Sequence, residues 1–221
     1  MQGRIPGSLA TILAALALGG PASALAAPLP PPAIDIPAAA ATGPQTAVFA
    51  GGCFWGVEAV FRHVKGVTRA VSGYAGGMVV KPTYDQVGTG KTGHAESVEV
   101  TYDPAKVSYG QLLAVFFSVA HDPTQLNRQG PDHGTQYRSA IFYVNDDQKR
   151  VAEAYVQQLD QARLFGSPIV TQVAKLPAFW PAEDYHQNYL ALHPTQPYIV
   201  YNDLPKLGAL QKEWPQLYAK Q

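Results

Sequence analysis

Thr46-Ala47-Val48-Phe49-Ala50-Gly51-Gly52-Cys53 passes from a short β-type run to two glycines and then to a thiol. Beyond it, apolar residues recur at Val57, Val60, Phe61 and Val64, the i, i+3, i+4, i+7 spacing of an amphipathic helix. Cys53 is therefore expected at a strand-to-helix junction, at or just before the first helical turn. There the helix dipole and the unpaired backbone N–H groups favour a thiolate over a thiol. The glycines let the chain turn sharply and leave the sulfur uncrowded. That is a nucleophile's position. Phe54 and Trp55 follow directly, outside the apolar stripe, and either wall a small apolar pocket or cap the core. Glu58, in the first helical turns, reads as a carboxylate that complements the dipole.

Outward from this junction, His94-Ala95-Glu96-Ser97-Val98-Glu99-Val100-Thr101-Tyr102 alternates as a strand does. Val98, Val100 and Tyr102 share one face, and parity puts Glu96 on it while Glu99 points to solvent. A carboxylate on an apolar face is unfavourable unless paired, and burial raises its pKa. A neutral carboxylic acid near a thiolate is what a reaction needs if a proton must go to a departing oxygen. Tyr84 lies in a turn-rich stretch, 82–85, where its hydroxyl can serve as a neutral donor, and 73–77 has the same loop-like composition. Ser108-Tyr109-Gly110-Gln111 resembles a capping box, opening a helix that ends near Asp122-Pro123. The polar run 125–138 feeds into an apolar strand, 139–144, and reads as a binding surface or a surface loop. Residues 148–163 form an exposed helix with Val151, Ala154, Tyr155 and Leu159 inward, and 167–176 form a further strand. Pro181 fits the first position of another helix, carrying Glu183, Asp184, His186 and Tyr189. Mixed strands and helices argue an α/β or α+β fold around a central sheet.

The chain has 221 residues, 47% hydrophobic and 14% charged, enough to bury a sizeable core. Its 16 basic residues balance its 16 acidic ones with no run of one sign, which argues against electrostatic capture of nucleic acid or membrane. Arg4, the apolar run Leu9 to Leu18 and the small residues Ala22-Ser23-Ala24 and Ala24-Leu25-Ala26 give the three parts of a secretory signal peptide over 1–26. Export to the periplasm or the medium is expected. Residues 27–45, rich in Pro and Ala, read as a semi-rigid linker, and 46–221 as one catalytic domain. Cys53 is the sole cysteine, so the fold is no disulfide scaffold, and a lone thiol in an oxidising compartment argues a functional reason for it. His94, His133, His186 and His193 are scattered, and none pairs with Cys53 at metal-ligand spacing. A Cys/His hydrolase would need His133 or His186 brought onto Cys53 by the fold.

Gly51-Gly52-Cys53-Phe54-Trp55-Gly56 resembles the signature of the A-type peptide methionine sulfoxide reductases. The resemblance continues through GYAGG (73–77), PTYDQV (82–87), TGHAE (92–96), the run 127–139 and PAEDYHQ (181–187), and covers roughly 46–210. It implies an α/β (α+β) two-layer plait with a central mixed sheet and packed helices. It implies that Cys53 attacks the sulfur of methionine S-sulfoxide, in proteins and in the free amino acid, and becomes a sulfenic acid. It further implies that Glu96 protonates the oxygen, that Tyr84 and Tyr137 hydrogen-bond it, that Phe54 and Trp55 receive the methyl group, and that Asp132 lines the pocket. Neither metal nor organic cofactor is implied, and a monomer is expected. Many members carry resolving cysteines in the C-terminal tail, whereas here 197–221 has none and Gly88 stands where some have another. The sulfenic acid then needs an external thiol: a small thiol, a glutaredoxin-like protein or a thiol-disulfide carrier.

Overall fold

A computed structural model describes residues 29–38 and 43–220. The signal-peptide reading of 1–26 lies outside the described residues.

The chain forms, in order, β1 (Gln45–Gly51), α1 (Phe54–Arg62), β2 (Val67–Ala75), α2 (Tyr84–Gly88), β3 (Ala95–Tyr102) and α3 (Tyr109–Val115). It continues through β4 (Arg128–Gln129), β5 (Asp132–His133), β6 (Ser139–Tyr143), α4 (Asp146–Gln161), β7 (Gln172–Lys175), β8 (Phe179–Pro181), α5 (Tyr189–Leu192) and α6 (Leu204–Glu213). Six strands make a mixed sheet in the order β7-β6-β1-β3-β2-β8, antiparallel except between β6 and β7. β4 and β5 pair separately.

β1 is central because both of its faces are apolar. Ala47 and Phe49 enter the main core, with α1 and α3, while Val48 and Ala50 face a smaller cluster with Ala140 and Phe142. The period of two does the sorting. Phe49 stacks on Phe61 of α1 at 4.9 Å between ring centres and on Phe116, just past α3, at 5.0 Å. α1 thereby docks over the end of β1, and the chain between them must turn within two residues. Gly52 makes that turn at φ +87°, where a Cβ would also sit 2.5 Å from the Gln129 side chain.

Val98, Val100 and Tyr102 enter the main core, as strand alternation requires, and Ser108 caps α3 with Gln111 closing the box. Several local expectations are corrected. Gly73 to Ala75 are the end of β2, held by pairing to β3 and β8, and Thr83 is the N-cap of α2, with a capping box to Gln86. Pro181 ends β8 rather than opening a helix; at a sheet edge its missing N–H leaves no ladder bond unmade. In α4 the inward residue is Ala152, not Ala154.

Part of the Pro/Ala-rich segment lies on the domain. Tyr155 OH donates to Pro30 O at 2.8 Å, and Gln158 bonds the Pro31 carbonyl and the Ala33 N–H. Asp35 accepts from Ser108 Oγ at 2.5 Å and from Gly110 N at 2.8 Å, at the first turn of α3. Leu29 and Ile36 pack against the core.

Candidate active site

Cys53 is the N-cap of α1, with φ −53° and ψ 123°, and is 8% exposed. The first free N–H of the helix, Phe54 N, donates to Glu96 Oε2 at 3.0 Å. That bond fixes the carboxyl group of β3 one residue from the sulfur. Glu96 is 3% exposed. Burial pushes its pKa up to about 8, the Phe54 N–H opposes the shift, and the carboxylates of Asp132 and Asp203 add to it. It is a neutral acid at neutral pH.

The thiolate expected at the helix end is not what the surroundings favour. Burial raises the Cys53 thiol well above its ordinary value, and Glu96 and Asp203 raise it further; the Trp55 backbone N–H and Lys206 oppose them. The positive end of α1 already has an occupant, because Phe54 N–H is given to Glu96.

Two phenols converge on the same place. Tyr84 begins α2 and is held by its backbone N–H to Glu183 Oε1 at 2.9 Å, while Glu183 Oε2 accepts from Tyr74 OH at 2.8 Å. Burial, then Glu96 and Cys53, push Tyr84 up to about 12. Tyr137, in a single 3-10 turn before β6, is raised by burial and then by Glu96. Both therefore keep their protons and act as donors.

The aromatic wall is built from distant parts of the chain. Phe54 is buried, 6.5 Å from the Tyr84 ring and 5.0 Å from the His186 ring. Trp55 stacks on Tyr189 at 3.8 Å, meets the edge of Tyr198 at 5.9 Å, and donates its indole N–H to His186 Nδ1 at 3.1 Å. His186 must accept that bond, so it is neutral, and burial lowers its pKa accordingly. Tyr198 OH donates to Asp132 Oδ2. Cys53, Glu96, Tyr84, Tyr137, Phe54, Trp55 and Asp132 thus belong to one cluster.

Sequence reasoning considered His186 only as the base of a hydrolase and gave Glu183 and Tyr189, on the element after Pro181, no part in the pocket; Tyr198 it missed. The histidine reading now resolves. His186 is bound to Trp55, His94 holds Gly77 N and Val79 O, and among the described residues no imidazole hydrogen-bonds Cys53. The hydrolase arrangement is not built.

The family model described as peptide methionine sulfoxide reductase matches residues 45–218. The chain belongs to the peptide methionine sulfoxide reductase family. This reductase is 64% identical over 181 residues to peptide methionine sulfoxide reductase MsrA 2 of Mesorhizobium japonicum, covering 82% of this chain and 93% of the relative. The Synechocystis protein described in the same words is 51% identical over 188 residues, covering 84% and 88%. Among solved structures, methionine sulfoxide reductase A of Corynebacterium diphtheriae superposes with a TM-score of 0.62 at 39% identity, over 70% of this chain and 77% of that one. Reduced Mxr1 of Saccharomyces cerevisiae gives 0.65 at 30% identity, over 80% and 93%. The two-layer arrangement of mixed sheet and helices is that of its relatives, and the reductase converts methionine sulfoxide to methionine at the expense of a thiol.

Proposed function

We propose that Cys53 is the nucleophile and Glu96 the general acid in the reduction of methionine S-sulfoxide, in proteins and in the free amino acid. The observation that carries this is the Phe54 N–H bond to Glu96, which places a carboxylic acid of raised pKa one residue from the thiol. The sulfoxide oxygen accepts hydrogen bonds from Tyr84 and Tyr137 and takes the Glu96 proton as it leaves sulfur. Protonation makes the sulfoxide sulfur electrophilic, and the Cys53 sulfur attacks it. That attack forms a sulfur–sulfur bond. The hydroxyl then moves to the Cys53 sulfur as the sulfur–sulfur bond breaks and methionine leaves, and the thiol's proton goes to Glu96, so that Cys53–SH and the sulfoxide become Cys53–SOH and the thioether. Phe54 and Trp55 hold the methyl group, and Asp132, through Tyr198, keeps the edge of the Trp55 ring in place.

The sulfenic acid is then resolved from outside. One thiol displaces water to form a mixed disulfide, and a second releases Cys53. The chain's sole cysteine supports this reading, and the donor classes are a small thiol, a glutaredoxin-like protein or a thiol-disulfide carrier. The three-part pattern of residues 1–26 supports work in the periplasm or the medium. The same proposal takes the protein as a monomer that needs neither metal nor organic cofactor.

The test is reduction of the separated S and R epimers of a methionine sulfoxide peptide under excess dithiothreitol. Turnover of the S epimer alone, lost in Cys53→Ser, is the expected result. Turnover surviving in Cys53→Ser would remove the nucleophile from the proposal.

A further inference from the structure

Asp203 is fully buried and, beyond adding to the raised pKa of Glu96, has no role in the steps just described. Its Oδ1 accepts from Lys206 Nζ at 3.1 Å, and its Oδ2 has no partner among the described residues. The pair lies on the first turn of α1, where a Cβ on Gly56 would meet Asp203 Oδ1 at 2.1 Å and Lys206 Nζ at 2.7 Å. Glycine at 56 is what leaves the carboxylate room to sit there. A helix's first turn is where an anion gains most from the dipole. Three groups therefore compete for one positive end: the Cys53 sulfur, Glu96 on Phe54 N–H, and Asp203 over Gly56. The charged and titratable groups acting on this sulfur are Glu96 from β3 and Asp203 and Lys206 from the C-terminal segment. The phenols of Tyr84, Tyr137 and Tyr198 also feel it, and Asp132 of β5 lies behind them.

We propose that Asp203 is a positioning residue for the sulfur: it occupies the helix end in place of a thiolate and engages the Lys206 ammonium, so that Cys53 rests as the thiol. The direction of the Cys53 shift agrees: burial and then Glu96 raise it most, Asp203 adds to them and Lys206 opposes. Burial raises the Asp203 pKa as well, and the Lys206 ammonium counters that rise and favours the carboxylate. The benefit follows from the single cysteine. Hydrogen peroxide converts Cys53–SH to Cys53–SOH and water, and a second peroxide gives the sulfinic acid and water, which external thiols do not reverse. The thiolate is the reactive form. With no second thiol in the chain to capture the sulfenic acid, a protonated resting sulfur limits idle oxidation between substrates.

The inference rests on the proposed function only for the identity of the nucleophile, and it is tested without sulfoxide turnover. Cys53, as the sole cysteine, is alkylated with iodoacetamide across a pH series and followed by mass. Asp203→Asn should lower the alkylation midpoint by about one pH unit, so that alkylation at neutral pH runs about tenfold faster. The sulfinic form should accumulate sooner under peroxide. Replacing Lys206 by Gln as well should bring the midpoint part of the way back. This double variant leaves no unpaired buried charge, and it carries the test if Asp203→Asn does not fold by circular dichroism. A midpoint unchanged or raised in the folded variants would overturn the proposal. Failure to reduce sulfoxide in the parent protein would count against the function alone.

Discussion

Glu96 carries the most specific chemistry of any single side chain here, and its pH behaviour has a definite sign. It must be protonated to act, so its contribution is full below about 8 and fades above. Glu96→Gln should therefore slow sulfoxide reduction by about 100-fold or more below that pH, with the two enzymes converging above it. A rate ratio that does not vary with pH in single-turnover assays would deny Glu96 the role of acid. Stability runs the other way. A carboxyl group whose folded pKa is raised adds stability below its unfolded value, and that contribution is lost as pH rises through the folded value. Glu96→Gln should thus be the more stable protein at alkaline pH, by on the order of 3 kcal/mol, and equal near pH 4. Thermal melts at the two pH values measure this. Glu96 was legible because strand alternation is a property of the backbone itself, and Cys53 because the change of period at Gly51-Gly52 is local. The protonation state of the thiol was not legible: burial and Glu96 raise its pKa first, and Asp203 adds to them from the far end of the chain.

Among the elements, α1 departs most from its sequence pattern. A stripe at Val57, Val60, Phe61 and Val64 suggests a helix with one wet side, yet Gly56, Glu58 and Ala59 are buried too. The sheet takes one face, and the segment from Asn188 through α6 takes the other. Glu58, expected to do no more than complement the dipole, is instead a buried clamp. It accepts from Ser72 Oγ of β2 and from Asn188 N, each at 3.0 Å, and pairs with Arg62 at 3.5 Å. Asn188 needs that support, since it enters α5 in the left-handed region at φ 55°. Glu58→Ala should destabilise the protein by about 3 kcal/mol, because it leaves the buried Ser72 hydroxyl and the half-buried Asn188 N–H unpaired. Urea unfolding measures this, and the same variant should loosen the Tyr189 stack on Trp55. No local pattern announces such a clamp. Its partners lie 14 and 130 residues away, and an acidic residue near the start of a helix fits the surface reading equally well.

At the scale of the whole molecule, the central sheet and the order of most elements could be read from periodicity and caps. The docked stretch before β1 could not, because Pro- and Ala-rich composition speaks of stiffness and is silent about what the chain lies against. Its carbonyls and Asp35 find partners on α4 and at the start of α3. A chain beginning at Gln45 should lose about 2 kcal/mol, with the catalytic cluster intact; Asp35→Ala in the full chain should account for much of it. Differential scanning calorimetry of the two proteins decides this, and equal melting temperatures would mean the stretch contributes nothing. The same stretch sets an order of events in time. The bond from Ala33 to Gln158 closes a separation of 125 residues, so it forms only after α4 has been made and has packed. Contacts made that late are absent from the folding transition state. Cutting them should leave the refolding rate nearly unchanged and quicken unfolding, so the first stretch of the domain to be synthesised acts as the last brake on its opening.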